Sequence, residues 1–190
     1  MTYKLVEPPF ILDFRNMSRN KLLEYRRWFL AIMPERLNQL SDEVCATPGF
    51  ESWQTDYSPR SLDLLGEWFV RQVTTRPRTT EELEEFRRQS PFPIDVSDQE
   101  LTNRTFSLTI DVGMYFAQVL LRNVPTIHWD QRLKDKRYID YGQPVLVGSG
   151  PVPLNPVHIM VMLAYGVTRK NQTGRRLSEL YGIWSQMLVA

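Results

Sequence analysis

The chain has 190 residues, 42% of them apolar and 24% charged, with a formal net charge of +1. That length suits one domain whose folding removes about 70% of the surface exposed by the unfolded chain, so a core can form without disulfides or a structural metal. The balance excludes a disordered chain, a collagen-like one and a disulfide framework, and it gives no electrostatic reason to expect nucleic acid or a membrane surface as partner.

Residues 1–17, with Pro8-Pro9 ahead of Phe10-Ile11-Leu12, read as an extended N-terminal arm laid on the body. Ser18 is a helix cap, and Leu22, Tyr25, Phe29 and Met33 follow at helical spacing. Pro34 reads as the start of a new segment, because its missing amide proton is harmless at a first helical position. Leu37, Leu40 and Val44 carry that segment to Thr47-Pro48-Gly49, which ends it. Ser58-Pro59 opens another helix with Leu62, Leu65, Phe69 and Val73 on one face and Trp68 beside it. Thr79 with Glu82, and Ser97 with Glu100, have capping-box spacing and mark two further starts. Between them lies Ser90-Pro91-Phe92-Pro93, which no helix crosses comfortably.

The stretch 98–123 would make a helix of about 37 Å. Leu108, Val112, Tyr115 and Val119 form one apolar line and Ile110, Met114, Ala117 and Leu121 another, the pattern of a helix buried on most of its circumference. A strand over 106–112 is the rival, given the β-branched Thr109, Ile110 and Val112; the helix is preferred. Gly113 at its centre costs about 1 kcal/mol relative to alanine, which implies close approach by another element.

Beyond Asn123 the character changes. Ile127-His128-Trp129 and Pro144-Val145-Leu146-Val147 are strand-like, with Gly148-Ser149-Gly150 closing the second. Two strands alone are marginal, so they must pack on helices or pair with a third, for which the N-terminal arm is a candidate. Asn155-Pro156 reads as a cap and first helical residue for 157–168, with a strand competing over 157–163. Leu177, Leu180, Tyr181, Trp184 and Leu188 give the last helix one apolar face. The expected fold is α+β: a predominantly helical single domain spanning 1–190, with about six helices, a small antiparallel sheet within 125–150, and Val112, Phe116, Val119 and Trp184 in the core.

Motifs of catalysis are mostly absent. There is no phosphate loop, since Gly148-Ser149-Gly150 lacks the lysine and the spacing, and no GxSxG elbow. Cys45, His128 and His158 are the whole Cys and His complement, with no metal-ligand spacing, so neither metal nor cofactor is expected. Cys45 with either histidine could form a nucleophile and base, but a small buried thiol near a helix end is the preferred reading. Strand alternation places His128 and Asp130 on an outer face as a surface pair and sends Trp129 to the core.

The more informative pattern is a polar stripe on the long helix. Arg104, Ser107, Asp111, Tyr115, Gln118 and Arg122 follow one another at spacings of three and four. Two readings stand: a solvated edge, or a polar groove with Asp111 held between Ser107 and Tyr115. In either case Asp111 is expected to be at least half buried, with Ser107, Tyr115 or an arginine as donor. Arg104, Asp111, Tyr115, Gln118, Arg122 and His128 are the candidate binding residues. Arg169, Lys170, Arg175 and Arg176 flank 171–174 and could serve an anion or acidic partner, although basic residues at a helix C-terminus also complement its dipole. Lys134, Lys136 and Arg137 with Tyr138 and Tyr141 form another basic patch, which Asp130, Asp135 and Asp140 are expected to neutralise. The charge is asymmetric: residues 1–100 carry 13 basic and 17 acidic side chains, residues 101–190 carry 10 and 5.

Residues 111–116 and 119–123, with Trp129, Tyr141-Gly142-Gln143-Pro144 and Asn155-Pro156, resemble small uncharacterised bacterial proteins, some of the immunity or accessory kind encoded near toxins. The resemblance spans about residues 105–170. It implies a glycine-containing helix leading into a tryptophan-bearing strand, and it transfers no functional residue. The expected function is a non-enzymatic protein-binding module, with another protein as partner and no membrane role; nucleic-acid binding ranks third among the readings. The alternative is a small-molecule site or modest hydrolase on the polar stripe. The single cysteine, the lack of a signal-like start and a longest apolar run, 159–167, far below the roughly 20 residues of a membrane span suggest a cytoplasmic protein.

Overall fold

The structure is a computed structural model that describes residues 3–89 and 97–190. The proline-rich break at 90–93 lies outside the described residues. The elements run α1 (Arg19–Cys45), α2 (Ser61–Gln72), β1 (Thr75–Pro77), α3 (Thr80–Gln89), β2 (Gln99–Leu101), α4 (Asn103–Asn123), β3 (His128–Gln131), β4 (Pro144–Val147), α5 (Pro156–Thr168) and α6 (Arg175–Met187). This is an α+β fold, mostly helical, as the capped starts and apolar periodicity imply.

The first helix corrects the reading of Pro34. Ser18 caps α1 through the Lys21 amide, but the helix then runs 27 residues, about 40 Å, with Pro34 inside it. Proline removes one helical hydrogen bond and crowds the preceding turn. Pro34 sits on the exposed side, while Leu22, Tyr25, Phe29, Met33, Leu37, Leu40 and Val44 form one unbroken buried line across it. Burial on both sides of the proline carries the helix through.

The long helix α4 begins later than its spacing suggests. Thr102, not the 97–100 segment, is its cap, accepting from the Thr105 amide at 3.2 Å. Residues 99–101 instead form β2, antiparallel to β1 with Thr75 opposite Leu101 and Arg76 opposite Glu100. The Thr79–Glu82 box is real and reciprocal: the Thr79 amide donates to Glu82 at 2.9 Å and the Glu82 amide to Thr79 Oγ1 at 3.2 Å.

From Thr105 to Leu120, α4 is buried on almost every side, and no strand forms over 106–112. Gly113 is the point of closest approach, because a Cβ there would lie 3.0 Å from the backbone of Pro156 and Val157 at the start of α5. Asn155 caps α5 through the His158 amide with Pro156 in the first turn, so 157–163 is helical. Antiparallel β3 and β4 pair His128 with Val147 through Gln131 with Pro144. Their third neighbour is Leu154, bridged to Leu146, rather than the N-terminal arm. Val112, Phe116 and Val119 are fully buried, whereas Trp184 is only partly covered and packs on the edge of the core. No helix among the described residues is long and apolar enough to cross a membrane.

Candidate functional site

The polar stripe of α4 is neither a solvated edge nor one groove. Ser107, Asp111 and Tyr115 are buried, and the stripe divides between two covers. The N-terminal arm and α1 lie over Arg104, Ser107 and Asp111; the segment between α1 and α2 lies over Tyr115 and Arg122.

Under the first cover, Asp111 meets Arg36 of α1 in a bidentate pair, Nε to Oδ1 at 2.8 Å and Nη2 to Oδ2 at 2.7 Å, with side-chain exposures of 0% and 6%. Asp111 is thus buried and bonded as expected, but its donors come from α1 and the arm rather than from its own helix. Arg36 also donates Nη2 to the Tyr3 hydroxyl and Nη1 to the Lys4 carbonyl and Gln39 Oε1, each at 2.9 Å. All five guanidinium protons are therefore engaged. The Tyr3 hydroxyl donates to Asp111 Oδ2, and its ring lies 5.2 Å from the Arg36 guanidinium and 5.5 Å from that of Arg104. Burial and the Asp111 carboxylate push the Tyr3 hydroxyl well above its ordinary pKa, so it stays a proton donor. Ser107 accepts from the Val6 amide at 2.9 Å, fastening the arm a second time. Arg104 pairs with Glu43 and also donates to Gln72. The group is a clasp with its donors and acceptors matched.

Under the second cover, the Tyr115 hydroxyl shares a hydrogen bond with Ser61 Oγ at 2.8 Å and accepts from the Tyr57 amide at 3.2 Å. Its ring stacks on Tyr57, with centroids 5.2 Å apart. Tyr57 has a φ of +57°, a left-handed conformation that costs a bulky residue about 1–2 kcal/mol. Arg122 over its ring at 3.5 Å and the Asn123 side chain on its carbonyl help hold it there. Gln118 donates to the Met33 sulfur. The structure does not unite these residues with Asp111 in a single site.

His128 is exposed on β3 away from that stripe, and Asp130 pairs at 3.7 Å with Arg132 rather than with His128. Trp129 packs edge-on against Phe29 but is only partly buried, at the edge of the core rather than in it, and Asp130 is likewise partly buried. The Cys45 thiol donates to the Trp53 carbonyl at 3.3 Å, a partly buried group near the end of α1. His158 has the partner its sequence neighbours do not reveal: its Nδ1 lies 2.9 Å from the buried Asp140 carboxylate, which also accepts from Asn155. Because Asn155 caps α5, this cluster fixes the start of that helix. Tyr141 is buried, and Asp135 pairs with Arg137, so the basic patch around Lys134 offers no exposed tyrosine pair for stacking.

The open chemistry lies between α5 and α6. A cleft of about 300 Å³ is floored by Leu163 and Leu180, walled by Ile159 and Met162, and edged by Arg169 and Arg176. Asn171 and Gln172 of the connecting loop complete its polar end. Arg176 reaches Glu179 at 3.1 Å on the surface. The helix α5 carries no Asp, Glu, Lys or Arg, yet its outer side is not fully covered: Met162 is 56% exposed, and Val157, Ile159, Val161 and Val167, which pack against the core, are only partly buried. On α6, Arg176, Leu180, Ile183 and Met187 follow at spacings of four, three and four, with Ile183 and Met187 exposed.

Sequence reasoning missed Tyr3 and Arg36. Arg36 had a signal, because it is a charge set in the buried line Met33, Leu37, Leu40 of α1, just as Asp111 is a charge in the apolar α4. Opposite charges on two such faces need each other. The basic cluster at 169–176 was legible; its apolar lining, contributed mostly by α5, was not. No protein-family model, curated protein or solved structure matches the chain.

Proposed function

We propose that this chain is a non-enzymatic protein-binding module, working in the cytoplasm, whose contact surface is the outer face of α5 with the adjoining line of α6. The supporting observation is the uncovered side of α5. A helix as apolar as α5 is expected to bury most of its surface, and an exposed apolar patch on a folded surface signals an interaction site. Met162, Ile183 and Met187 stand outward on these two helices, and methionine suits surfaces that mould to a partner. The alternative site, the α4 stripe, has its carboxylate fully buried and held by Arg36 and Tyr3, out of reach of a substrate. An immunity role, which the resemblance of residues 105–170 implies, is one form of this reading, with a toxin as the protein bound.

A photoreactive residue replacing Met162 tests it. In native-host lysate it should cross-link to a protein, whereas the same residue replacing Ile11 of the arm should not. The captured protein, purified, should bind the wild-type chain and lose about tenfold or more in affinity for the Ile183→Asp, Met187→Asp variant. Equal labelling at both positions, or affinity indifferent to those substitutions, would remove the proposal.

A further inference from the structure

The α5–α6 cleft joins two features that single out one kind of occupant. Its floor is apolar, from Ile159, Met162, Leu163 and Leu180, while its mouth holds Arg169 and Arg176, with Lys170 and Arg175 beside them in sequence. Within residues 150–190 the one acidic side chain is Glu179, which Arg176 already meets on the surface. Glu100, reached by the Tyr165 hydroxyl on the cleft wall, is paired with Arg78. Asp63 bonds Ser178 on the side of α6 that faces α2. The cleft mouth is therefore positive, and no hydrogen bond or ion pair engages the Arg169 side chain among the described residues. By contrast, the larger hollow beside Lys134, about 590 Å³, mixes both signs, with Asp130 and Asp135 set among Arg19, Arg132 and Lys134, whereas no carboxylate lines the α5–α6 cleft.

We infer that the cleft seats an acidic, apolar segment of the partner protein, with a glutamate or aspartate of that segment between Arg169 and Arg176 and its neighbouring aliphatic side chains on Ile159, Met162 and Leu180. This rests on the protein-binding reading above. The guanidinium fork grips a carboxylate with two parallel hydrogen bonds and loses less hydration than an ammonium would. A peptide suits the site better than a small free anion because the apolar line leaves the cleft along α6 to Ile183 and Met187, beyond the reach of a ligand that fills 300 Å³. Charge complementarity at the mouth supplies partner selection, and the apolar floor supplies contact area.

The test uses the full chain labelled at its methionine methyls, with two N-acetylated peptides that share one helical leucine pattern. One carries glutamate at every polar position and the other lysine. The glutamate peptide should shift the Met162 methyl resonance saturably, and the lysine peptide should not. The Arg169→Glu, Arg176→Glu variant should weaken the glutamate peptide by about tenfold or more and admit the lysine peptide instead. Equal shifts from both peptides, or none from the glutamate peptide, would overturn the inference. These wild-type titrations decide it even if the double variant fails to fold. Should the Met162 cross-link persist while the peptides fail, the acidic chemistry falls and the protein-binding reading stands. Should the glutamate peptide bind while no cross-link forms, the reverse holds.

Discussion

Two arginines show the two uses this chain makes of guanidinium groups. Arg36 lies in the seam between α1, α4 and the arm, buried, with five hydrogen bonds to Asp111, Tyr3, Lys4 and Gln39. Arg169 stands exposed at the lip of the α5–α6 cleft, above a floor of aliphatic side chains. A buried charge is tolerable only when its partners are complete, so the first arrangement is architecture. An arginine held at the surface beside uncovered apolar groups contributes little to folding and remains available to a carboxylate from outside. The contrast separates the residues that build the molecule from those that meet a partner.

The largest effect should come from breaking the buried pair. Asp111→Ala leaves the Arg36 guanidinium charged, buried and short of two acceptors, so urea unfolding should show a loss of about 3–5 kcal/mol. Asp111→Asn keeps the shape but removes the charge, and should be destabilising as well without restoring the pair. If either variant unfolds at the wild-type midpoint, the seam is not architecture and the comparison fails.

Tyr3→Phe sharpens the same side. It removes the hydroxyl that donates to Asp111 and accepts from Arg36, leaving the ring between Arg36 and Arg104. A loss of about 1–3 kcal/mol is expected, because hydrogen bonds to charged groups exceed neutral ones. Hydrogen exchange should show the Val6 amide, which donates to Ser107, less protected in the variant. Unchanged protection there would mean that the arm is fastened without Tyr3.

How far the sequence disclosed this follows from the range of each interaction. Caps and periodicity are local, and Ser18, the Thr79–Glu82 box, Asn155-Pro156 and the apolar lines of α1, α4 and α6 are where spacing places them. Pro34 misleads because its local penalty is outweighed by burial on both sides: Met33 and Leu37 keep helical spacing across it, so the apolar line is continuous where the proline signals a break. β1 and β2 are three residues each and pair across more than twenty residues, so neither has room for an alternation signal, and Ser97 with Glu100 imitates a cap. Glu100 in fact faces Arg78 and Tyr165. The burial of Asp111 was legible from its apolar neighbours, but its partners stand 75 and 108 positions away, and only tertiary packing selects them. The same holds for the cleft: its arginines stand seven positions apart in one basic cluster, while most of its apolar wall comes from the preceding helix.

Between the two extremes lies Glu82, a partly exposed carboxylate that meets Arg76 at 2.6 Å and accepts from the Thr79 amide at 2.9 Å. Hydrogen bonding from Arg76, then from that amide, lowers its pKa from 4.5 to about 2. A carboxyl with a depressed folded pKa stabilises the native state above its unfolded value, and that contribution disappears as pH falls through the folded one. Glu82→Gln should therefore lower the melting temperature slightly at neutral pH, with the gap from wild type closing between pH 4.5 and about 2. Glutamine can still serve the capping box, so the difference isolates the charge. A gap that widens on acidification would reverse the sign of this pair's role.

The smallest effect on stability belongs to the arginine whose loss should matter most for binding. Arg169 caps the C-terminus of α5 with its backbone amide, which bonds the carbonyls of Tyr165 and Val167, and that contribution survives any side-chain change. Its guanidinium lies at the end of a helix dipole, where a positive charge adds a few tenths of a kcal/mol at an exposed site. Arg169→Ala should accordingly unfold within about 0.5 kcal/mol of wild type, with the same dependence on urea. The same variant should weaken the glutamate peptide that marks the cleft. A fall in stability comparable to that of Tyr3→Phe would show that Arg169 is already engaged within the fold, and the division between building and binding arginines would no longer hold. Stability preserved with peptide affinity lost is the outcome that separates the two ends of the molecule, because a residue that holds nothing in the free protein can lose only what it offers to a partner.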